Sequence, residues 1–495
     1  MPWRSESVAI ARSTVALLLA TLCVSVPGWS QSRPAVAPES HVSQPDGPEG
    51  TAEALTRPAF RLDRSEEDWS AFCLPTRRDD RWDPAKCLGP SEGPWFVSFG
   101  GELRSSYEIY RNYNWGSGFQ DRNGYYLNRL MGHADLHLGA RVRLFAEFQS
   151  GLEVGRTGGP RLFVDEDKLD VSQAFIELNP STRRHRAPAT LRIGRQEFTY
   201  GEGTLVSTRE LNVRRPFDGV KVVFQPPKWR IDVFAAKPVA TQKGAFDDAS
   251  QEGATLWGAW AVTAAASPWI NQLDLYYVGL DREAAQFDRG IANERRHTFG
   301  FDAHEQAGPL AFAQEGVLQL GTFGSGRLWA WKLAHQVFYS IPRLRRSVLG
   351  IQGAISSGDD PSSGELRTFH PLFPKGLYYG YMLFTSGSLN AIVAHPSLNV
   401  PLSSSVSLNV DSFFLWRQGI ADGLYSQSGA FLRPAGPSLA RYVGATQDVS
   451  IQWRLDAHTT VQFLAAYYEV GAYLRESNPP AKNAAFYSLT ANYKF

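Results

Sequence analysis

Residues 487–495, YSLTANYKF, alternate apolar and polar side chains without a break. The apolar set is Tyr, Leu, Ala, Tyr and Phe, and the polar set is Ser, Thr, Asn and Lys. A period of two places each set on its own face of a β-strand. Because the apolar face is large and aromatic while the polar face suits water, the pattern is typical of a strand in a transmembrane barrel.

The same design repeats along most of the chain. In the segment RVRLFAEFQ that starts at Arg141, Val142 and Leu144 share one face, and Arg143 and Glu147 share the other. Eighteen such segments begin near residues 97, 126, 141, 169, 189, 218, 229, 255, 271, 296, 312, 327, 347, 389, 403, 442, 459 and 485. The sequence therefore predicts an all-β protein, a transmembrane antiparallel β-barrel of about eighteen strands, with sixteen or twenty strands as alternatives.

The links between these segments alternate in length. Short links such as 138–140, 225–228 and 456–459 fall between longer ones such as 356–388 and 418–441. Bacterial outer-membrane barrels have short periplasmic turns and longer outer loops, so the alternation supports the barrel. A soluble β-sandwich would carry charged residues on its solvent-facing side, whereas here the face opposite the charges is rich in Tyr, Trp, Phe and Leu.

Composition excludes two other classes of protein. The 495 residues carry Lys+Arg 50 against Asp+Glu 49, a formal net charge of +1. Nucleic-acid binding usually needs a basic domain or stripe, so no nucleic-acid partner is expected. After residue 30 no apolar run approaches the roughly 20 residues of a spanning helix, which argues against a helical membrane protein.

The N-terminal part divides into three regions before the barrel. The predicted regions are a signal peptide (1–30), a disordered N-terminus (31–58), a periplasmic lead-in (59–95) and an outer-membrane β-barrel (96–495). Arg4 and Arg12 precede the apolar core of the signal peptide. Export places Cys73 and Cys87 in an oxidising compartment, where a disulfide is the default. Closing a loop of about 15 residues stabilises by roughly 3 kcal/mol.

Two motifs resemble those of a known family. Residues 191–196, LRIGRQ, lead into a loop that runs through 217–219, FDG, and residues 357–360, SGDD, run into 369–374, FHPLFP. These stretches are similar to the alginate export family, Gram-negative outer-membrane barrels of eighteen strands. The resemblance covers the chain from about residue 96 onward. It implies a lumen that narrows to an arginine-rich constriction and passes an anionic polyuronate.

The chain departs from the family pattern in its Cys73/Cys87 lead-in and at Gln173, where the family's exporter places Arg. Family membership is therefore better supported than alginate as the cargo. The resemblance implies an integral pore of the Gram-negative outer membrane, surrounded by lipid, that passes anionic polysaccharide or another anionic hydrophilic solute. Export of a polymer would require periplasmic components. The alternative is a substrate-specific uptake porin for small organic acids or sugars.

Strand parity predicts a pore lining of both charge signs. The predicted inward residues are Arg104, Arg129, Arg141, Arg143, Arg195, Lys332, Arg454, Glu102, Asp135, Glu147 and Asp411. Rings of charge set the selectivity of pores, and a guanidinium can bond a carboxylate bidentately, so this lining suits carboxylated solutes. The alternative is that these charges pair across strands and only keep the lumen wet.

Arg195 joins the lining only if the strand contains a bulge. Leu191 and Ile193 face outward, so simple parity would place Arg195 in lipid, where a charge costs roughly 2–4 kcal/mol at mid-bilayer. A bulge at Gly194 would turn Arg195 inward, because glycine within a strand often marks a bulge. The alternative is that the strand has already left the hydrocarbon at this point.

The longest outer loop, 356–388, carries the predicted gating residues. They are Asp359, Asp360, Arg367, Phe369 and His370. The loop could fold inward as a plug or gate, or stack its aromatic residues on a sugar ring. The alternative is a solvated surface loop.

An enzyme is the competing class of function. The histidines on strands do not lie in a recognisable serine-hydrolase motif, and no G-x-S-x-G is present. No catalytic residue, cofactor or metal is predicted. An adhesin or purely structural barrel needs no charged lining, so the inward arginines disfavour it.

Overall fold

The computed structural model describes residues 57–90, 93–161, 163–180, 189–264, 267, 270–375 and 387–495. The predicted signal peptide and residues 31–56 of the predicted disordered N-terminus lie outside the described residues. No helix in the described part of the chain is long and apolar enough to cross a membrane.

Eighteen antiparallel strands form one closed barrel, which confirms the predicted fold class. The first nine are β1 Trp95–Arg111, β2 Tyr125–Leu138, β3 Val142–Val154, β4 Asp167–Leu178, β5 Ala189–Gln196, β6 Phe217–Phe224, β7 Trp229–Ala240, β8 Ala254–Ala264 and β9 Gln272–Phe287. The second nine are β10 Gly290–Ala307, β11 Leu310–Phe323, β12 Gly326–Ile341, β13 Ser347–Ser356, β14 Ala391–Pro401, β15 Val406–Arg417, β16 Tyr442–Arg454, β17 Thr459–Val470 and β18 Ala484–Lys494. Each strand pairs with its sequence neighbours, and β1 closes the ring against β18, with Leu103 opposite Tyr493.

The two faces of the wall differ as the alternation predicts. Leu103 on β1 is 51% exposed, whereas its neighbour Glu102 is 2% exposed. The same contrast separates Val220 from Lys221 on β6. Exposed large apolar side chains therefore form the outer, lipid-facing surface, and buried polar side chains face the lumen.

Short turns lie at one rim of the barrel and long loops at the other. Residues 139–141 and 225–228 are short connections at the first rim, where β1 also begins. Long segments such as 197–216 and 418–441 leave the second rim. By the general rule for outer-membrane barrels, the short-turn rim is periplasmic and the long-loop rim is external.

The remaining elements are short. The helices are α1 Asp83–Lys86, α2 Tyr113–Gly116 and α3 Ala472–Glu476, and the 3-10 turns are Arg64–Glu66, Ser70–Cys73, Pro75–Arg77 and Pro361–Ser363. Ala249–Ser250 extends the β7 edge, and Leu424–Tyr425 pairs with Phe431–Arg433 in an outer loop. Two apolar clusters, one around Tyr468 and one around Trp260, fill space between the wall and the loops.

The segment before the barrel packs against its periplasmic end. Cys73 and Cys87 are joined by a disulfide. The Trp82 ring stacks on the Phe495 ring at 4.3 Å, and His458 Nε2 lies 3.1 Å from Asp80 Oδ2. These contacts fix the lead-in, so that residues 62–67 enter the lumen; their contacts with the wall are described below.

Candidate functional site: the lumen of the barrel

Two outer loops fold into the lumen and join there. These are residues 197–216, between β5 and β6, and residues 357–375, after β13. Ser207 N donates to Phe373 O at 2.8 Å, and Lys375 N donates to Gly203 O at 2.9 Å. Val206 and Phe373 form an isolated parallel bridge. The two loops therefore brace one another inside the barrel and narrow the passage.

The second of these loops is also bonded to the wall. His370 N donates to Gln319 Oε1 at 3.0 Å, and Gln319 Nε2 returns a bond to His370 O at 2.7 Å. Arg296 on β10 donates to Thr368 O at 3.3 Å. Phe369 is fully buried. The segment folds into the lumen, as a gate would require. Phe369 and His370 are buried there and anchor the loop to the wall.

The other predicted gating residues lie nearer the external surface. Asp359 accepts from Arg289 Nε at 2.7 Å, which ties the loop to the β9–β10 turn. Asp360 accepts from Ser362 N at 3.0 Å and caps a 3-10 turn. Arg367 is half-buried and pairs with Glu365 at 3.3 Å. Residues 376–386 of the predicted loop lie outside the described residues.

Most of the predicted lumen charges form ion pairs with each other or with neighbours. Arg129 pairs with Glu102 in the β1–β2 wall. Arg143 Nε donates to Asp135 Oδ1 at 2.7 Å. These pairs agree with the alternative interpretation, in which the charges pair across strands and only keep the lumen wet.

The remaining acidic residues and Lys332 are likewise engaged. Lys332 Nζ donates to Glu315 Oε2 at 2.6 Å and lies over the Phe369 ring. Asp411 accepts from His395 at 2.9 Å. Glu147 is fully buried on β3, beside Gln173 at 3.3 Å.

Two predicted lining residues are placed wrongly by parity. Arg141 is an exposed residue of the turn 139–141 and lies before β3 begins, so the alternation of the strand does not apply to it. Arg454 does end β16, but it is exposed at the periplasmic rim and donates to Ser404 O of the neighbouring turn at 2.8 Å. Neither side chain lies at a narrow part of the lumen.

The bulge predicted at Gly194 is also wrong. The β5–β6 register continues without a shift, with Gly194 opposite Gly219 and Arg195 opposite Asp218. Glycine is needed for a different reason: its φ is +132°, and a Cβ there would lie 2.3 Å from Ala174 O on β4. Arg195 keeps the parity of outward-facing Ile193.

Arg195 is held in a rim network that lies away from the pore. Its Nε donates to Asp218 Oδ1 at 2.8 Å, and its Nη1 lies 3.5 Å from Asp170 Oδ1. Its Nη2 donates to the main-chain oxygen of Asp248, in the external segment that follows β7, at 3.3 Å. The alternative interpretation of Arg195, a strand that has reached the rim, fits this environment.

Sequence reasoning missed the arginines of the inward loop. Arg214 pairs with Glu197 at 3.4 Å and with Glu102 at 3.6 Å, and it links the loop to the β1 wall. Arg209 donates to two main-chain oxygens, those of Val213 and Phe163. These positions lie outside strands, where alternation carries no information. The only signal was the arginine-rich composition of 209–215.

Arg215 has a comparable environment in the same loop. Its Nη2 donates to Pro374 O at 3.2 Å, and its guanidinium lies 5.1 Å from the Phe373 ring. Among the described residues, neither Arg209 nor Arg215 forms a salt bridge with a carboxylate. Arg104 on β1, which lies opposite Arg129, likewise forms no salt bridge with a described carboxylate.

The pKa values of Arg209 and Arg215 are lowered, because both groups are buried without a carboxylate partner among the described residues. Burial, together with the charge of neighbouring Arg215, lowers the pKa of Arg209 to about 9. Burial lowers the pKa of Arg215 to about 10. Both groups stay protonated near neutral pH, and an anion placed beside them would be stabilised.

Comparison with known structures gives the same architecture. The barrel is similar to Pseudomonas aeruginosa OccK11 (OpdR), at 12% identity and TM-score 0.52, over 81% of this chain and 96% of that one. It is similar to P. aeruginosa OpdK, solved with vanillate, at 10% identity and TM-score 0.55, over 81% and 98%. Acinetobacter baumannii OccAB1 gives 10% identity and TM-score 0.55, over 81% and 96%. At these identities the likeness shows the fold.

The sequence comparisons identify the family. No protein of curated function matches the chain. The profile described as alginate export matches residues 96–488, nearly the whole barrel. With the closed eighteen-stranded barrel and its lipid-facing belt, this match establishes that the chain belongs to the alginate export family and is an integral outer-membrane β-barrel of porin type.

Proposed function

We propose that this chain is a passive pore for anionic hydrophilic solutes whose charge is carboxylate, with a polyuronate polysaccharide as the first cargo to test. The proposal concerns passage of solute and assigns no catalytic step. It extends the pore function of the family to a class of cargo, and it rests on how the lumen distributes its charges.

The observation that carries the proposal is the presence of guanidinium groups without a salt bridge to a described residue at the narrowed part of the lumen. Arg104, Arg209 and Arg215 form no salt bridge with a carboxylate in the described part of the chain, whereas Arg129, Arg143 and Lys332 do. A cation paired with a wall carboxylate presents less of its charge to a solute than a cation without a carboxylate partner. A cation held only by main-chain oxygens presents most of its charge, which lowers the barrier for an entering anion.

The chemistry of these groups favours carboxylates that can move on. A planar guanidinium bonds a carboxylate with two parallel N–H donors. Conduction requires binding that is favourable but reversible. Arg209 and Arg215 already donate hydrogen bonds to main-chain oxygens, so each has only some of its N–H donors left for a solute. Weak sites in series would let a charged chain advance from one to the next.

Uptake of small organic acids is the second candidate. The observation in its favour is the junction of the two inward loops, in which Ser207 and Phe373 are bonded within the lumen. A lumen narrowed by braced loops suits a small carboxylate, and passage of a polymer would require the junction to open. Monomeric and oligomeric uronates therefore separate the two candidates when they are compared as blockers of the ion current.

The deciding measurement is the reversal potential of the purified barrel in a planar bilayer under a KCl gradient, at low ionic strength where screening is weak. We expect anion selectivity. It should decrease in Arg104→Gln, Arg209→Gln and Arg215→Gln, and it should decrease most in the triple variant. Arg295→Gln is the matched control, because Arg295 is exposed and pairs with Asp281 at 2.7 Å. Cation selectivity of the unmodified barrel would reject the proposal.

A further inference from the structure

The segment that precedes the barrel inserts a short stretch, residues 62–67, into the periplasmic mouth of the lumen. Arg64 donates to Gly101 O and to Phe495 O, both at 2.9 Å. Arg214 Nη1 donates to Leu62 O at 2.8 Å. Three separate parts of the barrel therefore hold this stretch: β1 and the C-terminal residue accept from the Arg64 side chain, and the inward loop donates to the main-chain oxygen of Leu62.

Glu66 of this stretch points its carboxylate at arginines of the wall. Its Oε1 lies 4.0 Å from Arg192 Nη2 on β5, and its Oε2 lies 3.9 Å from Arg230 Nη1 on β7. Arg143 on β3 donates to the main-chain oxygen of the preceding residue, Ser65, at 2.7 Å. The three arginines come from strands that start at the periplasmic rim. Two of them approach the Glu66 carboxylate, and the third bonds the main chain beside it.

Arg192 and Arg230 hold their wall carboxylates more closely than they hold Glu66. Arg192 Nη2 bonds Glu177 Oε2 at 2.7 Å. Arg230 Nε bonds Asp232 Oδ1 at 3.0 Å. Hydrogen-bonded partners at these distances are fixed parts of the wall. Glu66 approaches the same two arginines about 1 Å less closely, at the distance of a charge contact.

Glu66 balances the charges of the described residues around it. Among the described residues, the salt bridges around Glu66 connect the cations Arg143, Arg192, Lys221 and Arg230 with the carboxylates Asp135, Glu177, Asp232 and Glu66. Three of the carboxylates belong to the wall itself. When Glu66 is withdrawn, the described part of this network holds four cations and three carboxylates.

We propose that Arg143, Arg192 and Arg230 form a carboxylate-binding subsite at the periplasmic mouth, and that Glu66 occupies this subsite until the carboxylate of a solute replaces it. The subsite rests on the proposed function, because it gives the carboxylated cargo a place to bind. Glu66 acts as an internal stand-in for the carboxylate of the cargo, and the docked stretch narrows the resting mouth.

The replacement is a competition between a tethered and a free carboxylate. A tethered group competes at an effective concentration of roughly millimolar order. A monomeric uronate must therefore reach a comparable concentration to displace it, while a polyuronate presents many carboxylates near the mouth and competes better. Removal of the Glu66 charge should raise the apparent affinity for free carboxylate, since the site is then always available.

The test compares Glu66→Gln with Asp68→Asn. Asp68 is an exposed carboxylate of the same segment and serves as the matched control. Sodium glucuronate is added from the periplasmic side of a planar bilayer, and block of the KCl current is measured. We expect the half-blocking concentration to fall about tenfold in Glu66→Gln, because the competing carboxylate is absent. Asp68→Asn should match the unmodified barrel.

A second variant locates the binding site. Arg230→Gln in the Glu66→Gln background should return the half-blocking concentration to that of the unmodified barrel or above it. In the unmodified barrel, glucuronate but not chloride should speed proteolysis of residues 57–67. Equal block in Glu66→Gln, Asp68→Asn and the unmodified barrel would overturn the subsite.

The two proposals fail in different ways. An unmodified barrel without anion selectivity rejects the proposed function. An anion-selective barrel whose block by glucuronate is unaffected by Glu66→Gln rejects the subsite alone.

Discussion

The periplasmic mouth and the inward-loop region of the same lumen use arginine in opposite ways. At the mouth, Arg143 and Arg192 are each hydrogen-bonded to a wall carboxylate at 2.7 Å. In the inward loop, Arg209 and Arg215 are held by main-chain oxygens and have no carboxylate partner among the described residues. Residue type alone therefore does not define a selectivity filter. The partners decide how much of its charge an arginine presents to a solute.

The comparison also explains why only the mouth needs an inserted segment. The described wall network at the mouth has four cations and three carboxylates, so a docking peptide can contribute main-chain oxygens and one further carboxylate. Ser65 supplies such an oxygen to Arg143, and Leu62 supplies one to Arg214. Arg209 and Arg215, farther along the lumen, would remain available to a solute.

The largest expected effect comes from Arg64→Ala. Arg64 is buried, pairs with Glu67 at 2.6 Å and donates to Gly101 O and Phe495 O. Loss of one partner of a buried ion pair costs about 3–5 kcal/mol. We expect residues 57–67 to leave the lumen, with faster proteolysis of that segment and a larger conductance.

The barrel itself should be unaffected by Arg64→Ala, so its resistance to heat unfolding is the internal check. Arg77→Ala serves as the control, because Arg77 is an exposed residue of the same lead-in. Protection from protease equal to that of the unmodified protein would show that Arg64 does not hold the segment.

A smaller effect is expected from pH, through Lys86. This residue is buried, and its Nζ donates to Phe99 O at 3.0 Å. Burial, followed by the charge of Arg64, lowers the pKa of Lys86 from its ordinary 10.5 to about 7, with a further lowering by Arg57 and opposing contributions from Glu67 and Asp83. Between these two pKa values the released segment carries a proton that the docked segment lacks.

Docking of the lead-in should therefore strengthen as pH rises from about 7 toward 10, by at most roughly tenfold per pH unit because one proton is linked. The closed fraction of single channels, recorded across this range, measures the effect. Lys86→Met keeps an apolar stem in the same space and removes the proton, so its closed fraction should depend less on pH. A steep dependence that survives in Lys86→Met would assign the titration to another group.

The fold was readable from the sequence because alternation survives in every strand. All eighteen predicted segments correspond to barrel strands, including short ones such as β5 and β6. The same parity placed Arg104, Arg129 and Arg143 on the inner face. It failed at Arg141 because that residue precedes the strand, where the period of two no longer applies.

The rest of the site could not be read from local patterns. Arg209 and Arg215 lie in an irregular loop whose inward folding depends on contacts with residues more than 150 positions away, such as Phe373 and Pro374. The insertion of residues 62–67 depends on equally distant partners. Parity places Arg192 on the inner face, because it lies between outward-facing Leu191 and Ile193. Arg195 was nevertheless the lining residue predicted for that strand.

Arg192 and Arg195 therefore provide the sharpest comparison, and the smallest expected effect. They lie three residues apart on β5, but Arg192 faces the lumen and Arg195 pairs with Asp218 at the rim. Arg195→Gln should leave the reversal potential unchanged and cost about 1.5–3 kcal/mol of stability, because the hydrogen-bonded pair with Asp218 is partly buried. Arg192→Gln should weaken block by glucuronate in the Glu66→Gln background. If Arg195→Gln instead reduced anion selectivity, the outward placement of its side chain, and with it the continuous β5–β6 register, would be wrong.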